Sequence, residues 1–87
     1  AKRLVTDKLA ACVQIDGPIR SLYWWQDAMA NESEWRCTIK TESRCVDQCI
    51  ERLRENHPYK VPEILAHPIA KVDAEYAAWV DSQVKAG

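Results

Sequence analysis

Residues 10–26, AACVQIDGPIRSLYWWQ, and residues 32–41, ESEWRCTIKT, carry the pattern that decides the fold. In the second stretch Trp35, Cys37 and Ile39 alternate with Glu34, Arg36, Thr38 and Lys40. Successive side chains of a strand point to opposite faces, so this spacing predicts an antiparallel strand with one wet face. In the first stretch Val13 and Ile15 alternate with Gln14 and Asp16, and Gly17-Pro18 marks a bend. Beyond the bend Ile19, Ser21, Tyr23 and Trp25 share one face, and Arg20, Leu22 and Trp24 the other. Apolar residues on both faces predict a strand covered on both sides. The segment from Asp27 to Asn31 reads as the turn that joins the two strands into a long hairpin.

Helical spacing flanks this hairpin. Residues 1–9 read as the end of a helix with Leu4, Val5 and Leu9 on one face. No capping residue precedes Ala1, so this helix reads as entered part-way. Residues 43–56 predict a helix with Ser43 as N-cap and a core stripe of Val46, Cys49, Ile50 and Leu53, stopped by Pro58. Residues 61–70, bracketed by Pro62 and Pro68, read as a short strand that sits at an edge or is paired only in its middle, because proline cannot donate to a ladder. Asp73 then caps a last helix whose buried stripe is Tyr76, Trp79, Val80 and Val84.

The resulting order is α-β-β-α-β-α. One more strand ahead of the first helix would make it βαββαβ, the ferredoxin-like split βαβ unit, with an extra C-terminal helix. The expectation is therefore an α+β chain, an antiparallel sheet with helices on one face. It is expected to form a single domain over residues 1–87 whose first strand is missing, through truncation or missing residues.

Composition excludes several classes. The chain has 87 residues, too few for a second core. Twelve basic and 13 acidic side chains leave a formal net charge of -1, with no basic cluster of the kind nucleic acid requires. No apolar run approaches the roughly 20 residues that span a bilayer, and no apolar signal-peptide stretch is visible. Neither nucleic acid nor membrane is an expected partner. Arg52 and Arg54 read as part of a solvated helix face. The four cysteines, Cys12, Cys37, Cys45 and Cys49, form no CxxC and suit reduced thiols packed as small hydrophobes in a cytoplasmic protein.

Five motifs in order then carry a resemblance. They are Leu9-Ala10-Ala11-Cys12-Val13, Ser21-Leu22-Tyr23-Trp24-Trp25, Ile39-Lys40-Thr41, His57-Pro58-Tyr59-Lys60-Val61-Pro62-Glu63-Ile64 and Tyr76-Ala77-Ala78-Trp79. Together they resemble the CutA family of divalent-cation tolerance proteins across nearly the whole chain. The family's glycine two residues after its S-x-Y-x-W tryptophan is Asp27 here. Its glycine near the last helix is absent from Lys71-Val72-Asp73-Ala74, so both loops are expected to differ. The resemblance implies a homotrimer of ferredoxin-like subunits, non-catalytic and linked to copper tolerance. Its strands would pack against neighbours through Ile19, Leu22, Tyr23, Trp24, Trp25 and Trp35.

His57 and Cys12 are the metal candidates, since imidazole and thiolate suit copper or zinc. They also fit a helix-stop histidine and a small buried thiol. His67 lies about 13 Å along the strand from Glu63, too far to share one ion. Cys45 and Cys49, four apart on a helix, could hold a soft metal but fit burial better. In the resemblance Lys40, Tyr59 and Glu63 converge with Tyr76 and Trp79 on an inter-subunit cleft for a small anion or metabolite; an interface ion pair with aromatic packing fits the same residues. No glycine-rich phosphate loop and no G-x-S-x-G occurs, so catalysis has no support and no cofactor is required. Three readings stay open: a metal-associated trimer, a small-molecule sensor, and a structural anchoring trimer.

Overall fold

A computed structural model describes residues 2–57 and 61–86. Its elements are α1 (Lys2–Thr6), β1 (Cys12–Trp25), β2 (Ala28–Lys40), α2 (Ser43–Asn56) and α3 (Ala74–Gln83). The class is α+β, as expected.

β1 and β2 pair antiparallel from Cys12 opposite Lys40 to Trp25 opposite Ala28. The turn therefore holds only Gln26 and Asp27, with φ of 50° and 64°. Two left-handed residues give a loop whose twist matches that of the strands. The turn expected to reach Asn31 is shorter than that, because a two-residue loop lets pairing begin at Ala28. Asp27 occupies the left-handed position that glycine fills most cheaply. Asp27→Gly is expected to stabilise the protein by about 0.5–1 kcal/mol. The gain should appear as a higher urea midpoint at unchanged slope. An unmoved midpoint would show that Asp27 costs the turn nothing.

The bend expected at Gly17-Pro18 is a β-bulge. Asp16 faces Arg36 and Ile19 faces Glu34, so two residues of β1 lie opposite Trp35 alone. The bulge shifts the alternation of β1 by one residue. Val13 and Ile15 before it, and Leu22 and Trp24 after it, consequently share one face. On β2 that face carries Met29, Trp35, Cys37 and Ile39.

The core lies where the hairpin enters the helices. Leu4, Leu9, Ala10 and Cys49 form a buried cluster, with Val13, Ile39 and Leu53 packed against it. Cys45, Val80 and Val84 are also buried. The outer hairpin runs on past this core. The molecule is 45 Å in its longest dimension, close to the length of a 14-residue strand at about 3.3 Å per residue.

α1 ends sooner than expected. The Leu9 N–H donates to the Leu4 carbonyl at 2.9 Å and the Lys8 N–H to the Val5 carbonyl at 3.1 Å. Lys8 is left-handed, with φ 62°. These are the bonds of a Schellman reversal, which also brings Leu4 and Leu9 together in the core. Val5, expected on the buried face, is exposed.

α2 spans the expected residues, but Ser43 is its first helical residue. Glu42 stands at the N-cap, without a side-chain cap bond. Its buried stripe is Cys45 and Cys49, while Val46, Ile50 and Leu53 are half-buried.

The strand expected over 61–70 does not form. Pro62 and Pro68 have no N–H to donate, and no described strand pairs with the segment. Val61, Leu65 and Ile69 are left exposed. Asp73 caps α3 as expected, its Oδ2 accepting the Tyr76 N–H at 3.1 Å. Its φ of -62° is ordinary, so no glycine is needed there. Val80 and Val84 are buried, but Tyr76 and Trp79 are exposed, contrary to expectation. The described chain puts no core against their side of the helix.

Candidate functional site

One hairpin face starts inside the core and runs out of it. Val13 and Ile39 pack on the core cluster, and Ile15 next along is already exposed. Leu22 (64% exposed), Trp24 (71%), Met29 and Trp35 (66%) continue the stripe to the tip. Trp24 sits directly opposite Met29 in the ladder. Arg20, Ser33 and Asn31 share this face, Arg20 Nε donating to Asn31 Oδ1 at 3.0 Å. An exposed face with this many large apolar side chains is a candidate association surface.

The reverse face is mixed. Arg36 pairs with Asp16 at 2.8 Å, and Lys40 Nζ donates to Gln14 Oε1 at 2.6 Å. Glu32 and Glu34 lie on this side, as do half-buried Ile19 and exposed Tyr23 and Trp25. The six residues expected at an interface thus divide. Leu22, Trp24 and Trp35 belong to the stripe; Ile19, Tyr23 and Trp25 lie on the reverse. Ile15 and Met29 were not anticipated there. The signal for Ile15 was Gly17-Pro18, whose extra residue puts it in phase with Leu22 and Trp24.

The metal candidates sit on different elements. Cys12, half-buried, opens β1 opposite Lys40. His57, also half-buried, ends α2, where its backbone N–H donates to the Arg54 carbonyl at 3.4 Å. Among the described residues, no three His, Cys, Asp or Glu side chains come together to hold a metal ion. Cys45 donates to the Lys85 carbonyl at 3.6 Å and Cys49 to the Leu9 carbonyl at 3.3 Å. Burial, then neighbouring Cys45, pushes the Cys49 thiol above its ordinary value. A protonated thiol is a poor ligand, so Cys49 acts here as a small core hydrophobe. Cys37, read as a similar packing residue, is exposed.

The cleft residues are only partly gathered. Tyr76 and Trp79 form a tilted pair with ring centroids 5.8 Å apart and planes at 33°. Lys40 is engaged with Gln14 and not with Glu63, which is exposed. His67 is exposed too. Tyr59 lies outside the described residues.

Two arginines of α2 have roles that local spacing did not reveal. Arg44 Nη1 bonds Asp81 Oδ1 at 2.6 Å, and its Nε donates to the Lys85 carbonyl at 3.0 Å. Its Nη2 reaches the Asp81 and Val84 carbonyls. Arg44 thus satisfies carbonyls that the end of α3 would leave bare. Arg52, read as solvated, is half-buried and paired with Asp7. The Arg52 hydrogen bond, aided by nearby positive charge, holds the Asp7 carboxyl below its ordinary 3.8. A group depressed in the folded state contributes stability that is present above its unfolded pKa and lost as pH falls through the folded one. Melting temperature is therefore expected to fall less steeply below about pH 4 in Asp7→Asn than in the parent protein. Parallel acid limbs would overturn this role for the pair.

The sequence matches the family of CutA1 divalent ion tolerance proteins over residues 1–83. The chain belongs to the CutA1 family. The divalent-cation tolerance protein CutA of Thermus thermophilus is 41% identical over 80 residues, which cover 92% of this chain and 78% of that protein. Protein CutA 1, chloroplastic, of Oryza sativa is 35% identical over 85 residues, 98% of this chain. The chain spans about half the length of that rice relative, 48%.

Solved family structures superpose closely. The Thermus protein gives a TM-score of 0.92 at 39% identity, covering 98% of this chain and 82% of that one. CutA1 from Oryza sativa gives 0.94 at 34%, covering 99% and 79%. The PII-like protein CutA from Nostoc gives 0.90 at 26%, covering 98% and 83%. These likenesses bear out the ferredoxin-like α+β class. Among the described residues, no helix is long and apolar enough to cross a membrane.

Proposed function

We propose that this chain is a single-domain subunit of a homotrimer that serves divalent-cation tolerance and binds its ions without catalysing a reaction. The observation that carries the assembly is the apolar stripe of Ile15, Leu22, Trp24, Met29 and Trp35, which one copy leaves in water. The names of the family and its relatives support the link to divalent ions. The compartment is a reducing one, the cytoplasm, in keeping with four free thiols at Cys12, Cys37, Cys45 and Cys49.

His57 and Cys12 are the donors we assign to copper or zinc. One copy gathers no three donors among its described residues, so an ion held by these two takes further ligands from water or another copy. Titration with zinc, and with copper under reducing conditions, is expected to saturate. His57→Ala and Cys12→Ser should each weaken binding about tenfold or more, as loss of a ligand costs at least what loss of a ligand's support does. Isotherms identical to the parent's would sink this assignment.

A second reading is a sensor whose small anion or metabolite sits against Lys40, Tyr59, Glu63, Tyr76 and Trp79. The exposed Tyr76–Trp79 pair favours it, since it offers aromatic surface that one copy does not cover. A small anion that raises the melting temperature while the metal isotherms stay unchanged would select this reading.

A further inference from the structure

We draw no further inference here: the strongest candidate, the apolar groove between α1 and β1 lined by Val5, Val13 and Ile15 with Lys2 and Thr6 at its rim, is an unpartnered face, and nothing in the structure shows what covers it.

Discussion

Replacing Leu22 and Trp24 together by glutamate is expected to leave a folded chain that does not form the proposed trimer. Neither side chain belongs to the core of one copy, and both are largely exposed on the outer hairpin. Folding should therefore tolerate the change. Assembly should not. Burying a large apolar side chain is worth about 1.5–3 kcal/mol, and a trimer repeats each site in every copy. The substitution removes that gain and asks the interface to bury unpaired carboxylates, which costs more still. Light-scattering mass should drop from three chains to one while far-ultraviolet dichroism holds. Glu32→Gln, on the reverse face, should keep the parent mass. A double variant that remains trimeric would remove the stripe from the interface. A monomeric parent would remove the trimer itself.

The strand alternation and the last helix cap, both matters of local spacing, were legible in the sequence, although the hairpin turn, the end of α1 and the N-cap of α2 were not. The clean alternation from Glu34 to Lys40 became β2, and the Asp73 cap became the start of α3. What depended on a distant partner was not. A strand exists through its ladder, so the apolar spacing of Val61, Leu65 and Ile69 could not make one without a neighbour. Helical periodicity picked Tyr76 and Trp79 as a buried face, yet only Val80 and Val84 meet the core. Arg52 shows the same limit, since its partner Asp7 lies 45 residues away and no local pattern joins them. In the candidate site, the family motifs pointed to His57, Cys12 and the aromatic pair. The order of faces along the hairpin hangs on one bulge, which puts Leu22, Trp24 and Trp35 of the six expected interface residues on one face and Ile19, Tyr23 and Trp25 on the other.

That bulge is the second place where a single change should have a large effect. Gly17 has φ of 146°, a conformation that is close to glycine-only, and its neighbours would crowd a side chain there. A Cβ there would stand 3.0 Å from the Glu34 carbonyl oxygen and 3.0 Å from Trp35 Cε3, with Trp35 Cα at 3.2 Å. The carbonyl belongs to the backbone of β2, which yields less readily than the end of a flexible side chain. Gly17→Val is expected to cost about 1–3 kcal/mol in backbone strain and a further ~1–3 kcal/mol in overlap, read as a lower urea midpoint. Gly17→Ala carries the same Cβ, so it should show the strain and the Cβ part of the overlap, and fall short of valine only by the contacts of the two γ-methyls. The chain's way out is to expel the bulge and slip the pairing by one residue. That slip would turn Leu22 and Trp24 from the stripe to the reverse face. The variant should therefore lose trimer mass as well as stability, although Gly17 is not itself one of the stripe's apolar side chains. Parent-like midpoint and mass in Gly17→Val would mean that the bulge does not hold the two halves of the stripe in phase. A lower midpoint with intact trimer mass would mean that the trimer's own contacts, not the glycine, keep the register.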